Sequence, residues 1–183
     1  MSIRFCTTCG GPTTPRIPDG DDHERQVCAR CGQVHYVNPK LVVGAVCSLD
    51  DRILLCRRAI DPRRGYWTIP AGYMEVDETV EEGAVREARE EAGADIEIRG
   101  LLACYSLKRI DQVQLLFAAA LTRPEVEAGP ESLEVALLRW PDIPWEDLAF
   151  PTVHWVLGEA YRRGVAIPGR PLDLAEPARG ARR

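Results

Sequence analysis

One stretch constrains this chain more than any other: Gly72 to Ala94, GYMEVDETVEEGAVREAREEAGA. Thr79 with Glu82 three residues on is a capping box and Gly93 is a C-terminal stop, so the spacing predicts a helix between them. Val80, Ala84, Ala88 and Ala92 recur at every fourth residue and form an apolar stripe that needs a surface to pack on. Beside the stripe stand Glu87, Glu90 and Glu91, which share an arc of roughly 100° at about 100° per residue. Three like charges so grouped repel one another unless a cation sits among them. A solvated acidic face is the alternative that the helix alone leaves open. Arg86, near Glu82 and Glu90 on the same wheel, is placed to fix carboxylates.

The rest of the chain supplies the sheet for that stripe. Leu41–Leu49 is apolar and β-branched, Asp50-Asp51 is a turn, and Arg52–Arg57 is the second arm of a hairpin. Residues 59–71 read as a loop through Pro62, Gly65 and Pro70, with Trp67 as a core anchor. Residues 95–99, 101–107, 112–121 and 133–140 are strand material, and 123–132 is a Pro/Gly loop. A second helix over 151–163 carries Val153, Val156, Leu157 and Ala160 on one face, which completes a sandwich around the sheet. The domains expected are thus 1–38, 39–165 and a tail, 166–183, whose prolines and terminal Arg-Arg predict disorder.

Seven cysteines are present, four of them in two Cys-x-x-Cys-Gly knuckles: Cys6, Cys9, Cys28 and Cys31. Two such knuckles supply the four sulfurs of a tetrahedral zinc site, and the short segment between them needs metal to fold. Two disulfides are the alternative. With four sulfurs available, His35 reads as structural or near an interdomain surface. The odd cysteine count and scatter suit a reducing cytoplasm. No apolar run approaches 18 residues and the N-terminus lacks an apolar signal core, so no membrane partner is expected. Net charge is −5, and up to Lys40 five basic residues face four acidic ones. Without a basic face, no nucleic-acid partner is expected.

The fixed positions Gly72, Glu78, Arg86, Glu87, Glu90, Glu91 and Gly93 together resemble the Nudix box, G-x5-E-x7-R-E-U-x-E-E-x-G-U. Ala88 and Ala94 depart from it, since the family prefers bulkier aliphatic residues there, and weaker helix packing is expected. The resemblance implies an α/β (α+β) sandwich, a mixed sheet between helices, preceded here by the zinc ribbon. It also implies Mg2+- or Mn2+-dependent hydrolysis of a nucleoside diphosphate linked to another group. Carried over from the box, Glu87, Glu90 and Glu91 are the metal ligands, with the Gly72 carbonyl and Glu78 assisting, and Arg86 orients them. The general base is a box glutamate such as Glu90 or one from a later loop; Glu134 is the later candidate, and Glu131 reads as a solvated loop residue. Arg57 and Arg58 are candidates to clamp a pyrophosphate.

A zinc ribbon before the box suggests NADH pyrophosphatases, but the Ser-Gln-Pro-Trp-Pro-Phe-Pro run of that group is missing after the box. Phe5-Cys-x-x-Cys-Gly-Gly-Pro-Thr13, Ile17-Pro-Asp-Gly20, Asn38-Pro-Lys40, Trp67–Tyr73, Gly129–Glu134 and Leu148-Ala-Phe150 are instead similar to short zinc-ribbon Nudix hydrolases that include FAD pyrophosphatases. That likeness implies FAD or ADP-ribose as the small-molecule nucleotide substrate, and the family's habits imply a homodimer. A nucleotide-sensing regulator without catalysis is the reading from another class, and the intact box argues against it.

Overall fold

The computed structural model of the chain describes residues 3–174 and 178–181. It divides into two units, Met1–Pro39 and Lys40–Arg183. In the first, strands β1 (Thr13–Arg16), β2 (Arg25–Cys28) and β3 (Val34–His35) form an antiparallel sheet in the order β1-β2-β3. These strands hold the two knuckles, each closed by a glycine amide returning to a cysteine carbonyl: Gly10 to Cys6 at 2.9 Å and Gly32 to Cys28 at 3.1 Å. Both glycines have φ above +70°, where other residues are strained.

The second unit is built on one mixed sheet. Its strands are β4 (Lys40–Leu49), β5 (Arg52–Arg58), β6 (Trp67–Thr68), β7 (Ala71–Tyr73), β8 (Ile96–Leu107), β9 (Gln112–Leu121), β10 (Ser132–Arg139) and β11 (Ala178–Ala181). The order is β10-β5-β4-β9-β8-β11, with β6 paired to β5 and β7 to β4. β4 and β9 run parallel, and the chain reaches β9 from β4 by way of the helix α1 (Val80–Ala92) and β8. Alternation along the central strands divides the core. Val43, Ala45, Cys47, Leu54 and Cys56 pack with the alanines of α1, whereas Val46, Ile53 and Leu55 pack with helix α2 (Pro151–Arg162). The sheet therefore lies between two helices, as the fold reading requires.

The small stripe on α1 sets how close the helix comes. Ala84, Ala88, Ala92 and Ala94 are fully buried, so the two departures from bulkier residues lead to close approach rather than loose packing. A Cβ on Gly83 would stand 2.8 Å from Val43 Cγ2 and 2.6 Å from Glu78 Oε1.

Two expectations change. The predicted loop 59–71 contains β6 and the start of β7, which run into the gap between β4 and β5, because those strands pair directly only at Ser48↔Ile53 and Leu49↔Arg52. The tail expected to be disordered from residue 166 folds back: the Asp173 amide donates to the Arg163 carbonyl at 2.9 Å, and β11 pairs parallel with β8. An edge strand offers unpaired backbone groups, and a run of mostly small residues satisfies them without the apolar pattern that sequence reading looks for. The rest of the tail, 175–177 and 182–183, lies outside the described residues.

Candidate active site

The site forms where α1 faces β7. Thr79 caps the helix reciprocally: its Oγ1 accepts from the Glu82 amide at 3.1 Å, and its own amide donates to Glu82 Oε2 at 2.7 Å. Glu82 is thus used by the cap and not by Arg86, as the helix wheel alone suggested. Gly93 ends the helix at φ 58°.

Glu87 and Glu91 lie on the buried side of α1, only 8% and 7% exposed, while Glu90 points outward. Glycine is required at position 72, because a Cβ there would sit 2.3 Å from Glu87 Oε1 and 2.4 Å from Oε2. Backbone and carboxylate are therefore in direct apposition. Burial raises the Glu87 pKa against the opposing pull of Arg86. Burial also raises Glu91, to about 8, with the Glu87 charge adding to the effect and the Ala71 amide and Arg58 charge opposing it. Glu91 Oε2 is buried with no hydrogen-bond partner.

Arg86 is the hub of the cluster. It grips Glu78 with two bonds of 2.9 Å, Glu87 at 2.8 Å, Glu90 at 2.9 Å and the Tyr73 carbonyl at 3.0 Å. The guanidinium lowers the Glu78 pKa to about 2. Glu78 also accepts from the Glu75 amide at 2.8 Å, which ties the loop before the helix to the same network. Among the described residues, Glu87, Glu90 and Glu91 do not bring three carboxylate oxygens within 4.8 Å of one another. The physical reason is that Arg86 draws Glu87 and Glu90 to itself while Glu91 turns toward Ala71 and Arg58.

The residues fit a hard divalent cation nonetheless. An all-oxygen donor set, a buried carboxylate oxygen lacking a partner and a glycine backbone pressed against a second carboxylate are what such an ion uses.

The two arginines separate. Arg57 donates to the Gly65 carbonyl at 2.9 Å and pairs with Glu134 at 3.5 Å. Glu134 lies opposite Arg57 across β5 and β10, so the structure brings the predicted later base to an arginine and not to the carboxylates of α1. Arg58 donates to the Pro62 carbonyl, lies over the Phe150 ring at 5.1 Å, and acts electrostatically on Glu91. Glu131, read from sequence as solvated, exerts its charge on both Glu87 and Glu91.

Sequence reasoning missed why Glu131 is there. The loop before β10 docks on the end of α1, with the Glu127 amide donating to the Ala92 carbonyl at 2.8 Å and Gly129 to the Glu91 carbonyl at 3.0 Å. A Cβ on Gly129 would lie 1.7 Å from the Glu90 carbonyl oxygen, so that glycine was the available signal.

In the first unit the four cysteine sulfurs lie within 4.8 Å of one another. Cys6–Cys31 is 3.7 Å and Cys9–Cys28 is 3.5 Å, with all cysteines unbridged. A tetrahedral zinc with bonds of about 2.3 Å puts its sulfurs about 3.8 Å apart, so the set fits zinc.

The NUDIX domain family matches residues 38–163, and the Nudix N-terminal zinc-ribbon family matches 4–37. The chain belongs to the Nudix family. A Nudix hydrolase from Nitrosomonas europaea superimposes with a TM-score of 0.87 at 43% identity, covering 98% of this chain and 100% of that one. An ADP-ribose pyrophosphatase from Methanocaldococcus jannaschii is 31% identical over 113 residues, which is 60% of this chain and 67% of that protein. The NAD-capped RNA hydrolase NudC of Stutzerimonas stutzeri is 33% identical over 141 residues, 75% of this chain. The Nudix chain spans about half the length of that relative, 47%. No described helix is long and apolar enough to cross a membrane.

Proposed function

We propose that this Nudix protein hydrolyses the pyrophosphate linkage of a small ADP-containing substrate, with ADP-ribose, giving AMP and ribose 5-phosphate, as its first candidate. The observation that carries the reading is the pair of buried carboxylates, Glu87 and Glu91, facing the Gly72 backbone with one Glu91 oxygen unpartnered. Glu87, Glu90 and Glu91, with the Gly72 carbonyl, are the residues that would hold Mg2+ or Mn2+, and Glu78 completes the set through Arg86. Once bound, the cation supplies charge neutralisation of the pyrophosphate and acidifies water.

The chain's own residues do the rest. Arg86 is a positioning residue: its five-donor fork fixes Glu78, Glu87 and Glu90 in orientation. Arg58 stands on the Glu91 side of β5 and is the cation available to a phosphate there, whereas Arg57 is engaged by Glu134. Burial keeps Glu91 ready to take or hold a proton near neutral pH. Glu131 is the better placed later-loop base, since its charge reaches the carboxylates of α1 and that of Glu134 is matched by Arg57. The cysteine set holds a structural zinc. FAD and NADH share the ADP half of ADP-ribose and enter as alternative substrates at the same site.

The test is a parallel incubation of the chain with ADP-ribose, FAD, NADH and an NAD-capped RNA, each with magnesium or manganese. Fastest release of AMP from ADP-ribose supports the proposal. FMN with AMP, strongest from FAD, moves the substrate and keeps the site; preference for the capped RNA overturns the small-molecule reading. No turnover of any of them leaves a nucleotide-sensing role in its place.

A further inference from the structure

Among the described residues, two buried side-chain polar atoms lack a hydrogen-bond partner, Glu91 Oε2 and His35 Nε2. The first belongs to the site on α1. The second has no part in it: His35 ends β3, opposite Gln26 on β2, in the cysteine-bearing unit. Its side chain is 9% exposed, and a buried ring nitrogen without a partner is costly unless it has a use. The imidazole lies beside the sulfur of Cys6, toward which it acts as a donor.

Cys6 is a cysteine that needs donors. It is 4% exposed, and as one of four thiolates around a divalent ion it shares in a site of net charge −2. Buried negative charge is stabilised by N–H groups aimed at it. The backbone provides some: the Thr8 amide reaches Cys6 Sγ at 3.4 Å, and the Arg30 and Cys31 amides reach Cys28 Sγ at 3.3 and 3.4 Å. His35 is the side chain that adds to this set. It is not needed as a ligand, because the sulfur pairs at 3.5 and 3.7 Å already match the edges of a four-sulfur tetrahedron.

We infer that His35 is a positioning residue for the zinc site, a neutral imidazole whose Nε2–H is donated to the Cys6 thiolate without touching the metal. This rests on the zinc reading of the four cysteines. The donated N–H fixes the direction of the Cys6 sulfur and draws off part of its charge. Zinc is then retained longer than by the four sulfurs alone, as outer partners of metal ligands generally achieve.

The test uses the full chain. Zinc content is measured first; less than one zinc per chain overturns the zinc reading and this inference with it. Zinc release to a chromophoric chelator is then timed for the native chain, His35→Phe, which keeps a ring but no donor, and His35→Gln, which keeps an N–H. Release on the order of 10-fold faster from His35→Phe, with His35→Gln between the two, is expected. Equal release rates from all three overturn the inference while leaving zinc in place. If His35→Phe does not fold, the native chain loaded with cadmium-113 decides alone. A ring N–H of His35 that couples to cadmium through the Cys6 sulfur supports the inference. A direct nitrogen–cadmium coupling, or no coupling at all, refutes it.

Discussion

Replacing Glu91 by Gln tests the electrostatics of the site without deleting its volume. Burial raises the Glu91 pKa from 4.5 to about 8, so the folded chain holds a proton that the unfolded chain has released. The sign follows from linkage. Stability from this group is fully present below pH 4.5 and is lost as pH rises through about 8. Over that window of 3.5 units, at about 1.36 kcal/mol each, the loss amounts to at most about 5 kcal/mol. Glu91→Gln removes the titration, so the variant should gain on the native chain steadily from pH 5 to pH 8. The assay is urea unfolding at half-unit pH intervals, in buffer without magnesium or manganese and without chelator, so that the cysteine site keeps its metal. Added magnesium should restore stability to the native chain at pH 8 and leave Glu91→Gln unchanged. Parallel pH profiles for the two proteins would refute the reasoning.

The neighbouring residues yield further expected outcomes. Gly72→Ala places a Cβ 2.3 Å from Glu87 Oε1 and should reduce turnover on the order of 100-fold, as misplacing a catalytic group by about 1 Å does, with far-ultraviolet dichroism largely kept. Arg86→Ala leaves Glu78 and Glu87, both largely buried, without their cation and should cost about 3 kcal/mol in denaturant unfolding. Glu131→Gln should lower kcat by about 100-fold or more while Glu134→Gln stays within a few-fold, read from initial rates; the reverse order would restore Glu134 as the base.

The helix of the site was fully legible because its signals are local. The capping box, the alanine stripe and the glycine stop each act within one or two turns, and the structure places all three where the spacing put them. The same locality made the two cysteine knuckles readable, since a tetrahedral metal dictates the spacing. What escaped depends on contacts between distant segments. That Glu131 and not Glu134 approaches α1 follows from the loop around Gly129 docking on the helix end, a contact made by backbone atoms that no side-chain pattern announces. β6 and β7 form because β4 and β5 splay, and two- or three-residue strands carry too little alternation to be seen. Arg86 choosing Glu78 over Glu82 is a competition, won because Glu82 is already committed to Thr79. His35 looked incidental in a sequence with four better ligands; only its burial beside Cys6 gives it a purpose.

The central claim is that Glu87, with its neighbours on α1, carries a cation-dependent hydrolysis. The measurement that tests it most directly is the rate of AMP release from ADP-ribose by the native chain and by Glu87→Gln, with magnesium titrated from zero. The account predicts no turnover without a divalent cation, saturable activation of the native chain, and loss of at least about two orders of magnitude in the variant at every magnesium concentration. Turnover independent of the cation, or a Glu87→Gln protein as active as the native one, would contradict it.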